Sequence, residues 1–275
     1  MKKLNFIIKY GLALLLLSFY SCESWLNVTP SDRLSEEMLF NDREGFVKAL
    51  NGVYIELNTN ELYGRNLTAG ALDVMGQYYS VASSSHAFYN YGGLVYTGND
   101  EKALFDNMWQ KCYAVIACCN TIIEKCDERQ DVLPGVYYGL YKGEALALRA
   151  MLHLDMLRLF GPVYDETSKT AECIPYVTNT DAQISPLLSA EVVLESVIGD
   201  LKTALNLLKE SDPVLTDGVR NEGNSIGDNA LNYRQFRLNY YAVKALLVRA
   251  YAWGHDESNA LVTAEEILRE VQVEG

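Results

Sequence analysis

The sequence predicts an all-α protein built on a helical repeat, and three observations predict it. In residues 143–163, GEALALRAMLHLDMLRLFGPV, a rotation of about 100° per residue puts Glu144, Asp155 and Arg158 on one narrow stripe. Apolar side chains cover nearly all of the remaining surface, so such a helix must be packed on most sides. The segment Ala145-Leu-Ala-Leu-Arg149-Ala150 then returns as Ala245-Leu-Leu-Val-Arg249-Ala250, with the arginine in the same place, as stacked helical units would have it. Finally, no stretch shows the sustained apolar and polar alternation of a half-buried strand.

In chain order, Lys2, Lys3 and Lys9 precede an apolar run, Tyr10 to Tyr20, that is too short to span a bilayer and has the shape of a secretory signal. Phe19-Tyr-Ser-Cys22 ends it like a lipobox, which makes 1–21 a lipoprotein signal peptide and Cys22 the acylated first residue of the mature chain. Residues 22–34 read as a polar tether containing Pro30, and 35–275 as one helical domain.

Within that domain, Ser35-Glu-Glu-Met38 opens a first short helix, because serine and the acids that follow suit a helix start. From 44 to 57, Phe46, Val47, Leu50, Val53, Tyr54 and Leu57 share one face. A further helix is expected over 67–77. From Tyr78 to Asp100 the helical period is lost and aromatics alternate with Ser, Gly and Asn, a long aromatic loop. The period resumes over 103–126, where Trp109, Cys112, Tyr113, Ile116, Cys119, Ile122 and Ile123 form the inward face and place Trp109 in the core. Cys112, Cys119 and Cys126 recur every seven residues. That puts them about 10.5 Å apart along a helix, too far for a disulfide and wrong for zinc, so they read as small hydrophobes. Cys118 and Cys173 are left as the pairing open to a bridge.

The repeat-bearing helix follows Pro134, with Gly161 expected to close it in the left-handed conformation and Pro162 unable to continue it. Arg149 and His153 project from its apolar side. An unpaired buried guanidinium is costly, so both are read as structural ties, with Arg149 and Arg249 as equivalent residues that each hold a buried acceptor. Residues 164–186 form a connection. Residues 188–208 are amphipathic, with Val192, Val193, Leu194, Val197, Leu201, Leu205 and Leu208 inward, and 211–232 read as a surface loop. A helical pair over 233–253 and 259–271 completes the chain.

With 23 basic and 36 acidic residues the net charge is −13, which excludes nucleic acid as a partner because a polyanion would be repelled. Nineteen tyrosines against eight phenylalanines point instead to surfaces that hold polar ligands. No catalytic motif is present, and His86, His153 and His255 lie in unrelated contexts. Catalytic residues, metal ligands and cofactors are therefore all read as none.

Trp25-Leu-Asn-Val-Thr-Pro30, Phe46 to Tyr54, Trp109 to Asn120, Glu144 to Ala150 running into Arg158-Leu-Phe-Gly-Pro-Val163, Asp200 to Ala204 and Ala242 to Tyr251 follow one another in a recognisable order. In them the chain resembles the SusD/RagB family of nutrient-binding outer-membrane lipoproteins. The resemblance implies an all-α fold of tetratricopeptide-like helix pairs with long irregular loops. It also implies a lipid-anchored, surface-exposed protein of the outer membrane that captures oligosaccharide, without catalysis, for a SusC-like TonB-dependent transporter. Members are usually longer, so 35–275 is expected to be an N-terminal portion.

Two other classes compete with this reading: an envelope scaffold that binds proteins through a concave repeat surface, and an all-α glycoside hydrolase with two carboxylates facing one cleft. The aromatic loop disfavours the scaffold and the motif order disfavours the hydrolase. Within the loop, Tyr78, Tyr79, Phe88, Tyr89, Asn90, Tyr91 and Tyr96 are the expected ligand-contacting residues, with Tyr89 and Tyr91 stacking on sugar rings.

Overall fold

The computed structural model describes residues 36–181, 184–219 and 229–273, so the expected signal peptide, the expected tether and Cys22 lie outside the described residues. The chain divides into two compact units, Met1–Leu39 and Phe40–Gly275. Of the first, the described part is one short helix, α1 (Glu36–Leu39).

The second unit opens with α2 (Arg43–Leu57), capped by Asp42, whose carboxylate accepts the Gly45 N–H at 2.9 Å. Two short helices follow, α3 (Ala71–Met75) and α4 (Tyr89–Gly92), then the long helices α5 (Asn99–Glu128) and α6 (Tyr137–Phe160). A small ladder of β1 (Glu172–Ile174) and β2 (Leu188–Ser189), antiparallel, leads into α7 (Ala190–Ser211) and the short α8 (Val214–Asp217). The pair α9 (Tyr240–Trp253) and α10 (Glu257–Val273) ends the described chain.

The fold is all-α, and its long helices pack mainly in series: α2 on α5, α5 on α6, α6 on α7, α7 on α9 and α9 on α10. This is the arrangement of stacked tetratricopeptide-like helix pairs. At its centre α6 is buried from Leu140 to Leu157 on nearly every side, as its circumferential apolar pattern requires. Gly143 lets α7 come close, since a Cβ there would sit 2.9 Å from Leu208 Cγ. Among the described residues, no helix is long and apolar enough to cross a membrane.

Several expectations are corrected. Gly161 is extended (φ −82°, ψ 172°), not left-handed, because the proline after it pushes the preceding residue toward extended backbone. The helix expected over 67–77 shrinks to α3, preceded by tight turns. Val192 is exposed, because at about 100° per residue it falls opposite the face shared by Ala190, Val193, Val197, Leu201 and Leu208, and Leu205, at the edge of that face, is only half-buried. The β1–β2 ladder is too short for alternation to register. The five described cysteines are free, so Cys118 and Cys173 are not bridged.

Residues 233–239 are not helical in the α sense. Tyr233 is left-handed, Arg234–Phe236 is a 3-10 turn and Arg237 is extended, after which Asn239 caps α9 by accepting the Ala242 N–H at 2.9 Å. The departure from α geometry aims Arg234 and Arg237 at carboxylates. Arg234 is buried and bonds Glu144 at 2.6 Å and Asp212 at 3.1 Å, while Arg237 takes the other Glu144 oxygen at 3.0 Å. The expected surface loop at 211–232 therefore starts inside the protein, with Ser211 and Asp212 buried.

Arg249 is not the equivalent of Arg149. Ala145 to Ala150 is buried throughout, whereas Ala245 and Arg249 are exposed. The reason is packing: α6 lies among α2, α5 and α7, while α9 mainly meets α7 and α10 and keeps an open face. Arg249 reaches Asp155 at 3.0 Å from an exposed position.

Candidate functional site

The segment between α3 and α5 surrounds two adjoining grooves that share Tyr89 and Asn90. One, of about 370 Å³, is lined by Gln77, Tyr79, Ser80, Val81, Gly92, Gly93 and Val95 besides the shared pair. The other, of about 590 Å³, is lined by Arg65, residues 84–91, Asp100, Glu101 and Leu104. Tyr89 and Asn90 thus form a ridge, built as the first turn of α4.

Non-glycine residues in left-handed backbone flank this turn, Gln77 (φ 59°) and Leu94 (φ 55°). L side chains adopt that region only where their surroundings hold them there. Here Gln77 Nε2 donates to Gly92 O at 2.9 Å and to Val74 O at 3.3 Å, while Val95 N donates to Asn90 O at 2.9 Å. The Tyr79 hydroxyl bonds the Ala69 carbonyl, which holds that ring in one orientation. Asn90 Nδ2 donates to Glu101 Oε1 at 2.8 Å.

The loop aromatics divide into two sets. Tyr78 (83% exposed), Tyr79 and Tyr89 (each 42%) face solvent. Tyr91 is 2% exposed, which corrects its assignment as a stacking residue: its faces are already covered by protein. It meets Phe88 at 5.8 Å, Phe105 at 5.9 Å and Tyr96 at 6.3 Å. Burial first, then the nearby Glu101 and Asp100, push its phenol up to about 12. Phe88 and Tyr96 are half-buried, and burial raises the Tyr96 phenol.

The ring contacts continue inward from Phe105 to Phe160 (6.2 Å), Trp109 (5.1 Å from Phe160), Tyr113 (4.7 Å from Trp109), His153 and Tyr176. Trp109 packs in this chain but remains half-buried, not sealed in the core. The loop is therefore fastened to α5 and α6 by a continuous run of aromatic contacts.

Arg149 and His153 lie outside the grooves and do structural work. Arg149 grips Asp200 with Nε at 2.7 Å and Nη2 at 2.8 Å, and donates to Asn120 Oδ1 at 2.9 Å. Its ionised form is favoured despite burial because Asp200 and its hydrogen bonds outweigh the loss of water. His153 donates from Nδ1 to Arg149 O at 2.9 Å and accepts the Val177 N–H on Nε2 at 3.0 Å, so the hydrogen bonds fit one neutral tautomer. Burial drives its pKa down to about 3.

Flat exposed rings beside amide and hydroxyl groups suit a ligand with an apolar face and a polar edge. The aromatic composition of 78–96 carried that signal in the sequence. Arg65 carried none, because it joins the site only through folding, and Gln77 and Glu101, at the two ends of the loop, carried none because the aromatic pattern stops short of them. Among the described residues no group of three or more His, Cys, Asp or Glu could hold a metal ion.

Residues 24–216 match a SusD-like family model described as starch-binding associating with outer membrane. Two SusD-like proteins of Formosa agariphila are 27% identical over 202 residues and 25% identical over 211 residues, covering 67% and 76% of this chain. The chain spans 34% and 38% of the length of these two relatives. In shape it is similar to a SusD superfamily protein from Bacteroides vulgatus (TM-score 0.64, 18% identity, 85% of this chain and 48% of that one). A SusD-like carbohydrate binding protein from the same organism gives a TM-score of 0.60 at 21% identity, over 83% of this chain and 45% of that one. At these identities the likeness speaks for the fold.

Proposed function

Because this chain belongs to the SusD-like family, we propose that it is a non-catalytic glycan-binding protein of the outer membrane, with the Tyr89–Asn90 ridge as its sugar-contacting surface. The observation that carries this reading is the pair of grooves meeting at an exposed tyrosine ring and an oriented amide. A sugar ring offers an apolar C–H face to an aromatic ring and hydroxyls to neighbouring amides, so both of its chemistries are met. Tyr79 and Tyr89 are the proposed contact residues, with Phe88 in the wall of the larger groove and Tyr91 beneath, while Tyr78 and Tyr96 line neither groove.

In this reading the acylated Cys22 anchors the protein at the cell surface, and captured oligosaccharide passes to a SusC-like TonB-dependent transporter. Affinity electrophoresis of the purified chain in gels holding starch and other polysaccharides tests the binding. Retardation by at least one polymer, lost in a folded Tyr79→Ala, Tyr89→Ala double variant, is the expected result. Retardation that persists in the double variant would move the site elsewhere.

A further inference from the structure

We infer that the ligand of these grooves is an uncharged glycan and that Asp100 is the residue that turns anionic glycans away, an inference that rests on the glycan reading above. The smaller groove has no cationic or carboxylate side chain in its lining. In the larger one, a single cation, Arg65, stands against two carboxylates, Asp100 and Glu101.

The cation is already engaged. Arg65 Nε donates to Asn66 Oδ1 at 3.1 Å and its guanidinium lies over the Phe88 ring, 5.7 Å from the centroid. The other electropositive feature of this groove is the start of the 30-residue helix α5, whose first N–H groups would ordinarily attract an anion. Glu101, in the first turn, folds back over that start: a Cβ placed on Gly98 would collide with Glu101 Oε2. The carboxylate is buried and bonded to Asn90, so the protein's own acid occupies the helix start. Asp100, beside it and exposed, adds a second negative charge at the groove wall. A uronate or sulfate ester entering here meets net negative charge on a chain of net charge −13. The hydroxyls of a neutral sugar meet no such repulsion, and the exposed Asn90, which lines both grooves and whose amide nitrogen donates to Glu101, offers them a carbonyl acceptor.

The test uses affinity electrophoresis of the full chain in low-salt gels containing amylopectin, galactomannan or arabinoxylan, and in gels containing alginate, polygalacturonate or carrageenan. Whichever neutral polymer retards the protein is then compared with its own carboxymethyl derivative. The wild-type chain should bind the derivative about tenfold or more weakly, and Asp100→Lys should narrow that gap by about tenfold. Glu265→Lys makes the same charge change on an exposed position of α10 and should leave the gap as it is. A preference of the wild-type chain for an acidic polymer, or a gap unmoved by Asp100→Lys, overturns this inference while leaving glycan binding intact. Retardation by no polymer of either class overturns the glycan reading, and this inference with it.

Discussion

Arg149 on α6 and Asp200 on α7 meet as a two-point pair, Nε to Oδ2 at 2.7 Å and Nη2 to Oδ1 at 2.8 Å. The third arm of the guanidinium takes Asn120 Oδ1 on α5, and the Asn120 amide passes on to the carbonyls of Val177 and Asn179 at 3.1 and 3.0 Å. Tyr176 also donates to Asp200, at 2.6 Å. One buried arginine thus joins three helices and the connection between two of them.

Replacing Arg149 by methionine should therefore cost about 3 kcal/mol or more in urea denaturation, since Asp200 and Asn120 are left buried without their partner. Arg249→Met, which breaks a pair whose arginine side chain is 46% exposed, should cost about 1 kcal/mol or less. Equal losses in the two variants would restore the equivalence that the repeated hexapeptide suggested.

What the sequence made legible was local. The burial of α6 follows from its own apolar pattern, and its end from Gly161-Pro162, although proline chemistry, not glycine freedom, sets the conformation there and the helix starts at Tyr137, before the patterned stretch. The reach of Glu144 to Arg234 spans 90 residues, and nothing near either residue announces it. The two loop tyrosines are a similar case. Tyr89 and Tyr91 are two positions apart on the same short turn, and which ring goes inward is decided by where Phe105 of α5 stands.

The Arg234 cluster gives a second stability prediction. Burial alone would raise the Glu144 carboxyl, but Arg234 and Arg237 more than offset it and hold the group below its ordinary range. Arg234→Met leaves Glu144 and Asp212 buried with a net negative charge, and it should lower stability by about 3 kcal/mol or more. A smaller loss from Arg234→Met than from Arg249→Met would contradict the assignment of this cluster to the core.

His153 supplies a pH dependence. Its folded pKa, about 3, lies below its ordinary 6.5, so the unfolded chain takes up a proton at higher pH than the folded one. The contribution is complete above about pH 6.5 and is lost as pH falls toward 3, at up to about 1.4 kcal/mol per pH unit. Denaturation midpoints of wild type and His153→Gln at pH 7, 6, 5 and 4 isolate this group from the carboxylates. The wild-type chain should lose more stability than the variant across that range, and parallel curves would show that His153 is not buried in its neutral form.

The two tyrosines of the α4 turn should separate binding from folding. Tyr89 has an exposed ring between two grooves, and removing it takes away a stacking surface without opening a cavity, so Tyr89→Ala should melt like wild type. Its affinity for the polysaccharide that retards the wild-type chain should fall about tenfold, in the range of one aromatic contact. Tyr91 is enclosed by Phe88, Tyr96 and Phe105, and Tyr91→Ala should cost about 3 kcal/mol through the void it leaves. Any loss of affinity in that variant should be recovered by Tyr91→Phe, which keeps the ring and gives up only a 3.5 Å bond to Asp100 O. Calorimetric titration and thermal melting of the three variants decide the matter. A Tyr89→Ala protein that binds like wild type would take the ridge out of the ligand site, and a Tyr91→Ala protein of unchanged stability would contradict the ring's place beneath it.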